Sequence, residues 1–561
     1  MAVLFLLLPL CAMAQMPWNT EATYPKFETR AVWVTTLSGL DWPKTKATDE
    51  ASRKRQQEEL RHLLDQLQAA NINTVLFQTR IRGSVIYPSE IEPWDAALTG
   101  VYDRHPGYDP LQFAIEETHR RGMELHAWVV SVPAFKPEVV RRMGRRSLLA
   151  TRPQLLKKHG DMYYLDPAQR ESANYLADIC REIVKRYDVD GIHLDYIRYP
   201  EQAQSFPDAL SFAKQGGKQS KAQWRRDNIT RMVKSVAEAV RSEKPWVKIS
   251  SSPVGKFRNT QRQNAFGWNS YDAVFQDCKA WLREGWMDML FPMMYFDGQH
   301  FYPFVADWTE DVNQRPVIPG LGIYFLSPSE KNWPLSVITA QLNTVRSQGL
   351  GGEAFFRSKF LTDNVKGLYH HLKNTFYAYP ALPTPMPWLD NEAPTMPHSP
   401  QKEMRDGLCW LSWQASTDNT PIGLTYNIYA SRTFPVDVSD ARNLVATRLS
   451  EPYYAFNPLE VRYLAVTSMD RAGNESAALY VGGVEDLVIS SSRMLWVQKD
   501  LLYLPQRNGA EFFLITDLSG HHLLRGPWKK VVDIRALQPG VYRLRTLQRK
   551  GVSRLVGEFV K

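Results

Sequence analysis

A chain of 561 residues exceeds one compact domain, and at 44% hydrophobic and 12% aromatic residues it holds apolar material for several cores, excluding wholesale disorder. Its 68 Lys and Arg against 59 Asp and Glu leave a net charge of +9, spread along the sequence, which excludes a basic tail of the nucleic-acid-binding kind. No run of about 18 apolar residues follows the first dozen, so no membrane-spanning helix is expected. The 17 Trp, 25 Tyr and 24 Phe fit a protein that stacks rings on flat ligands such as sugars, although core packing uses the same residues.

Residues 1–14 form an apolar run that closes on Ala12-Met13-Ala14, a small-x-small site. This predicts a secretory signal removed on export, and hence a periplasmic, cell-surface or secreted location. Cleavage there leaves Cys180, Cys278 and Cys409, too few and too scattered for a disulfide framework.

From residue 15 to 379, short apolar runs alternate with amphipathic helical patterns. The runs lie at 30–37, 74–80, 124–130, 190–199, 247–255, 288–296, 315–325 and 351–358. Eight such runs, each followed by a helix signal, predict an α/β fold, a (β/α)8 TIM barrel. An open doubly wound sheet is the alternative, but no Gly-rich phosphate loop follows the first run. Among the helices, Asp109-Pro110 supplies an N-cap and an N1 proline, Leu111, Ala114, Ile115 and Thr118 form the buried stripe, and Gly122 marks the end. Asp166-Pro167 opens another helix, with Leu176, Ile179, Ile183 and Tyr187 inward. Seven prolines between 380 and 400 then predict a stiff, extended linker. Beyond it the helical period vanishes. Residues 401–485 read as a β-sandwich and 486–561 as a second small all-β domain.

In a parallel barrel the ligand sits at the C-terminal ends of the strands, so polar residues there are the candidates. On the fourth run Ile192 and Leu194 alternate with His193 and Asp195, and one pair must face the barrel interior. A carboxylate facing inward needs water, a partner or a ligand, and Arg198 is one such partner. On the third run His126 and Trp128 share a face; a Trp near the rim serves as a sugar platform or as core. Gln78 and Arg80 share a face at the exit of the second run, followed by Tyr87, and an Arg there can clamp a carboxylate or hold an acid ionised. Met294, Tyr295 and Asp297 follow the sixth run, and Arg357 ends the eighth, whose Glu353 lies too deep for chemistry.

Cleaving a glycosidic bond takes two carboxylates, or one plus a substrate acetamide. Asp195 is the first candidate and Asp297 the second, with Asp41, Glu90, Glu92 and Asp95 in loops as further possibilities. Gln78, Arg80, Tyr87, His126, Trp128, His193, Tyr295 and Arg357 are the candidate sugar-binding residues. No nucleophile elbow is present, and no His and carboxylate cluster has metal-ligand spacing, so neither a metal nor a cofactor is expected. Arg141, Arg142, Arg145, Arg146 and Arg152 form the one dense basic patch, either a solvated loop or a contact for an anionic glycan.

Taken together, FETRAVWVTT, NTVLFQTRIRGSVIYPSEIEPW, GYDPLQFAIEETHRRGMELHAW, YYLDPAQRES and YDVDGIHLDYIRYP resemble the glycosyl hydrolase-like 10 family, colinearly over residues 27–375. The resemblance implies a (β/α)8 barrel and glycosidase activity; one bacterial member cuts peptidoglycan strands stripped of stem peptides. Members carry two acids in a row where this chain has Asp195-Tyr196, so the second is missing. The run DGIHLDYIRYP is also similar to the chitinase motif, but Ile197 stands where the catalytic Glu would be. Trp413, Tyr426 and DRAGNES (470–476) resemble a fibronectin type III domain. The tail, with Asp517-Leu518-Ser519-Gly520, Gly540-Val541-Tyr542 and Phe559-Val560-Lys561, resembles a type IX secretion sorting domain, which implies that machinery as a partner.

The resulting expectation is an exported glycoside hydrolase acting on a cell-wall glycan, denuded peptidoglycan or a similar polysaccharide. The alternative is a barrel that grips glycan without cutting it.

Overall fold

The computed structural model describes residues 24–405, 408–420, 422–457, 461, 463–482, 495, 497–498, 500–504, 511–517, 521–538, 541–547 and 553–561. The predicted signal at 1–14 and the sorting-motif residues 518–520 and 540 lie outside these.

Eight parallel strands form the first unit: β1 Thr29–Val34, β2 Thr74–Arg80, β3 Glu124–Val130, β4 Gly191–Asp195, β5 Lys248–Ser252, β6 Met289–Leu290, β7 Gly320–Leu321 and β8 Gly352–Phe355. Each pairs with its neighbours in chain order, and β8 returns to β1 through Thr29 beside Gly352. Parallel bridges Leu290 to Val317 and Met293 to Gly320 join β6 to β7 and close the ring. The fold is the TIM barrel expected from the alternating pattern. β6 and β7 are only two residues long, far shorter than their apolar runs. Pro292, Pro316 and Pro319 lack the amide hydrogens that a longer ladder needs.

The connecting helices lie where their caps place them. Helix α1 (Glu50–Ala69) follows β1, and α2 (Pro110–His119) follows β2 with Asp109 accepting from the Leu111 and Gln112 amides. Helix α3 (Arg170–Arg186) starts later than Asp166-Pro167 suggested, because Asp166 caps a turn at Ala168 instead. Helix α4 (Lys221–Glu243) follows β4. Between β3 and α3, three short antiparallel strands (Pro133–Phe135, Leu156–His159, Met162–Leu165) insert at the C-terminal face of the barrel.

The period-two alternation separates two cores. Leu125, Ala127, Val129, Ile192 and Leu194 pack outward with the helices. Trp33, Leu76, Trp128, Val130, Met289 and Phe291 fill the barrel interior.

The proline-rich stretch is packed against the barrel rather than a free spacer. Residues 381–386 are buried, Met386 joins the interior cluster, and the Trp388 indole donates to Asp288 at 2.9 Å. Prolines suit this burial, since each removes a donor that would otherwise need a partner. The sandwich that follows has a three-stranded sheet (His398–Arg405, Leu408–Gln414, Tyr453–Phe456) and a four-stranded one (Leu444–Leu449, Thr425–Ser431, Tyr463–Met469, Leu479–Val481). Its Arg448 reaches the barrel floor, donating to Glu124 at 2.7 Å and Asp190 at 2.9 Å, while Arg471 donates to Asp190 at 2.7 Å. Among the described residues, the C-terminal region is again all β, with one sheet of three strands and one of four.

Candidate active site

The strand order brings Asp195, the last residue of β4, beside Ser252, the last residue of β5, in register. Ser252 Oγ donates to Asp195 Oδ1 at 2.8 Å, and the Tyr196 amide donates to the same oxygen at 2.7 Å. Tyr196 has φ 50°, the left-handed region that non-glycine residues seldom occupy, and the turn folds its amide back onto the carboxyl. From β3, Trp128 Nε1 donates to Oδ2 at 3.1 Å. Oδ1 thus carries two donors and Oδ2 one, which leaves Oδ2 the oxygen with capacity for chemistry. Asp195 is 4% exposed. Burial pushes its carboxyl above the ordinary value, outweighing the Arg198 charge and these hydrogen bonds, which pull it down.

Around it, Tyr295 stacks on Phe356 with ring centres 5.4 Å apart. Burial first, and then the Asp195 charge, hold the Tyr295 hydroxyl well above its ordinary range. A cavity of about 330 Å³ is lined by Arg82, His159, Tyr164, Tyr196, Arg198 and Glu201, among others. The insert after β3 supplies one wall and the turn after β4 another.

The other sequence candidates sit elsewhere, closed off by partners of their own. Arg80 is fully buried and holds Glu92 with Nε to Oε2 at 2.9 Å and Nη2 to Oε1 at 2.7 Å, so neither residue meets a ligand. Gln78 accepts from the Thr36 and Leu37 amides and braces the turn after β1. Tyr87 is buried and donates to Glu182 of α3, outside the barrel. His126 is buried toward the floor, 3.2 Å from Glu124, with Gly191 against its ring; a Cβ on Gly191 would lie 2.6 Å from His126 Nδ1. His193 is also buried, and burial drives its imidazole well below the ordinary value. Being neutral, it accepts from Trp33 Nε1 at 3.2 Å and donates Nδ1–H to Ser250 Oγ at 2.9 Å. Arg357 donates to Asp41 at 2.6 Å, tying the turn after β1 to the end of β8.

Of the loop acids, Asp41, Glu92 and Asp95 are engaged internally and Glu90 pairs with Arg186. Asp297 is exposed in the turn after β6, and no hydrogen bond or ion pair engages its carboxylate among the described residues. In the basic patch, Arg146 pairs with Asp103, and Arg142 and Arg152 lie over the Tyr102 and Tyr175 rings. Arg141 and Arg145 stay exposed.

Sequence reasoning missed Ser252, Arg82 and Glu201. The run of serines at 250–252 was the available signal, since polar residues inside a strand must face a polar partner. Arg198, a candidate partner for Asp195 in the sequence, forms no ion pair with it within 4.0 Å among the described residues. Ile197, at the place of the chitinase Glu, is fully buried in the outer core.

The family model for glycosyl hydrolase-like 10 matches residues 28–325, a span that runs from β1 past β7 and includes Asp195. The chain belongs to the glycosyl hydrolase-like 10 family. Among its curated relatives is the glycosyl hydrolase YngK of Bacillus subtilis (strain 168), 31% identical over 490 residues, covering 80% of this chain and 92% of that protein. The glycosyl hydrolase DigH of Escherichia coli (strain K12) is 32% identical over 368 residues, covering 59% of this chain and 83% of DigH. Among solved structures, the glycoside hydrolase domain of PgaB (BpsB) from Bordetella bronchiseptica aligns with a TM-score of 0.42 at 14% identity, covering 62% of this chain and 98% of that domain.

Proposed function

We propose that this family member is an exported glycoside hydrolase that cleaves a bacterial cell-wall glycan, or a similar polysaccharide, with Asp195 as its general acid. The observation that carries this reading is the state of Asp195. It stands at the C-terminal end of β4, it is oriented by three donors, and burial raises its pKa. A carboxyl kept protonated above its ordinary range can give a proton to the departing glycosidic oxygen, and Oδ2 has only the Trp128 hydrogen bond to share it with.

A glycosidase also needs a second group, and Asp297 is the companion proposed, on a turn two residues beyond Tyr295. Glu201, on the cavity wall, is the comparison residue. The test uses Asp195→Asn, Asp297→Asn and Glu201→Gln on glycans with good and poor leaving groups. Loss of the acid spares a good leaving group, whereas loss of a base or nucleophile abolishes both reactions. If Asp195→Asn loses both equally, the acid assignment fails.

One observation favours the alternative of a non-catalytic glycan-binding barrel: a tyrosine, Tyr196, follows Asp195 where the family resemblance implies a second acid. Retention of a glycan without new reducing ends would establish that reading.

Export rests on Ala12-Met13-Ala14 and on the tail motifs, and the order of the sandwich strands supports a fibronectin type III-like spacer. The intact mass of the protein recovered outside the cytoplasm tests removal of both ends.

A further inference from the structure

Arg198 is 5% exposed, yet no hydrogen bond or ion pair engages its guanidinium among the described residues, and its Nη1 is buried without a partner. The Tyr196 ring lies 4.4 Å from it and the Trp268 ring 5.9 Å. Among the described residues, Arg30, Arg80, Arg225, Arg315 and Arg448 are comparably buried and each donates to a carboxylate, while Arg226 donates to the Gln223 amide oxygen and the Tyr271 carbonyl. A buried guanidinium keeps its charge at any ordinary pH and is costly to leave unpaired.

Arg198 lines the cavity together with Tyr196, the residue that follows Asp195, and so does Arg82, which is half-buried and likewise unpaired. Two acids share that wall. Asp161 is already paired with Lys136 at 2.9 Å, and Glu201 is exposed. The wall therefore offers two free guanidinium groups against one free carboxylate, and one of the two, Arg198, lies three residues along the chain from Asp195. Planar, forked donors match a carboxylate better than a hydroxyl.

Resting on the hydrolase reading above, we propose that Arg198, with Arg82, binds a carboxylate on the glycan, so that the site selects acidic sugars next to the bond it cleaves. Arg198 is then a specificity-determining residue, distinct in role from Asp195.

Calorimetry on full-length Asp195→Asn protein, which keeps the glycan intact, tests this. The glycans are peptide-free cell-wall strands, whose N-acetylmuramic acid carries a free carboxylate, and polyuronates, each against its carboxyl-reduced form. Charge-assisted hydrogen bonds of this kind predict at least about tenfold tighter binding of a carboxylated glycan. Adding Arg198→Gln removes that preference and leaves affinity for the reduced form unchanged. Arg198→Lys keeps the charge and the stem, retains part of the preference, and serves if the Gln variant melts early. Inorganic sulfate and phosphate as competitors separate a carboxylate site from a general anion site: either ion competing as well as acetate overturns the carboxylate assignment. The proposal also fails if no carboxylated glycan binds more tightly than its reduced form, or if the Arg198 variants weaken both forms equally. A preference that persists while wild type and Asp195→Asn both leave every glycan uncut would defeat the hydrolase reading and spare this one.

Discussion

Trp128 Nε1 donates to Asp195 Oδ2 at 3.1 Å, linking the inward faces of β3 and β4 at the rim of the barrel. This hydrogen bond supports the ionised carboxyl and fixes where its free lone pair points.

Trp128→Phe keeps the aromatic volume and removes the donor. The Asp195 pKa then moves further up, and the alkaline limb of the pH–kcat/KM profile moves with it. Activity at the optimum falls by about tenfold, the value of one hydrogen bond to a charged group. An unchanged profile would mean that Asp195 does not titrate in the reaction.

Arg80 and Glu92 form a fully buried pair, so the prediction for Arg80 concerns folding. Arg80→Met leaves Glu92 buried with only the Tyr175 hydroxyl as a side-chain partner, and costs roughly 3–5 kcal/mol. Urea denaturation measures it. The double variant Arg80→Met with Glu92→Leu recovers most of the loss.

Glu353, at the start of β8, is pushed up to about 8 by burial and then by the Glu28 charge, with the Tyr377 hydroxyl donating to it. The native state therefore keeps a proton that the unfolded chain has lost above its ordinary value of 4.5. Stability present below that value declines as pH rises toward 8, by roughly 1 kcal/mol per pH unit from this group. In Glu353→Gln, which keeps an acceptor for Tyr377, this component of the slope between pH 5 and 8 disappears. Urea midpoints at several pH values provide the comparison.

The barrel was legible because alternation and caps are local. Ile192 and Leu194 against His193 and Asp195 sorted correctly into outer core and interior, and so did the faces of β3. Side-chain roles were not, because a polar residue at a strand end looks the same whether it meets solvent or a partner. Arg80 is explained by Glu92, 12 residues on in a loop, and Tyr87 by Glu182, 95 residues away. His126 shares a strand face with Trp128 but sits one layer deeper, where the floor is sealed by Lys248 and by Arg448 of the sandwich. Arg198 was hidden for the opposite reason: an adjacent acid invited a salt bridge that the geometry does not form.

The most direct test is the rate of reducing-end release from peptide-free cell-wall glycan by the full-length protein and by Asp195→Asn, at matched melting temperature. The account predicts release by the wild type and a fall of about a thousandfold in the variant, within the range of a lost general acid. Release by the variant at the wild-type rate would contradict it.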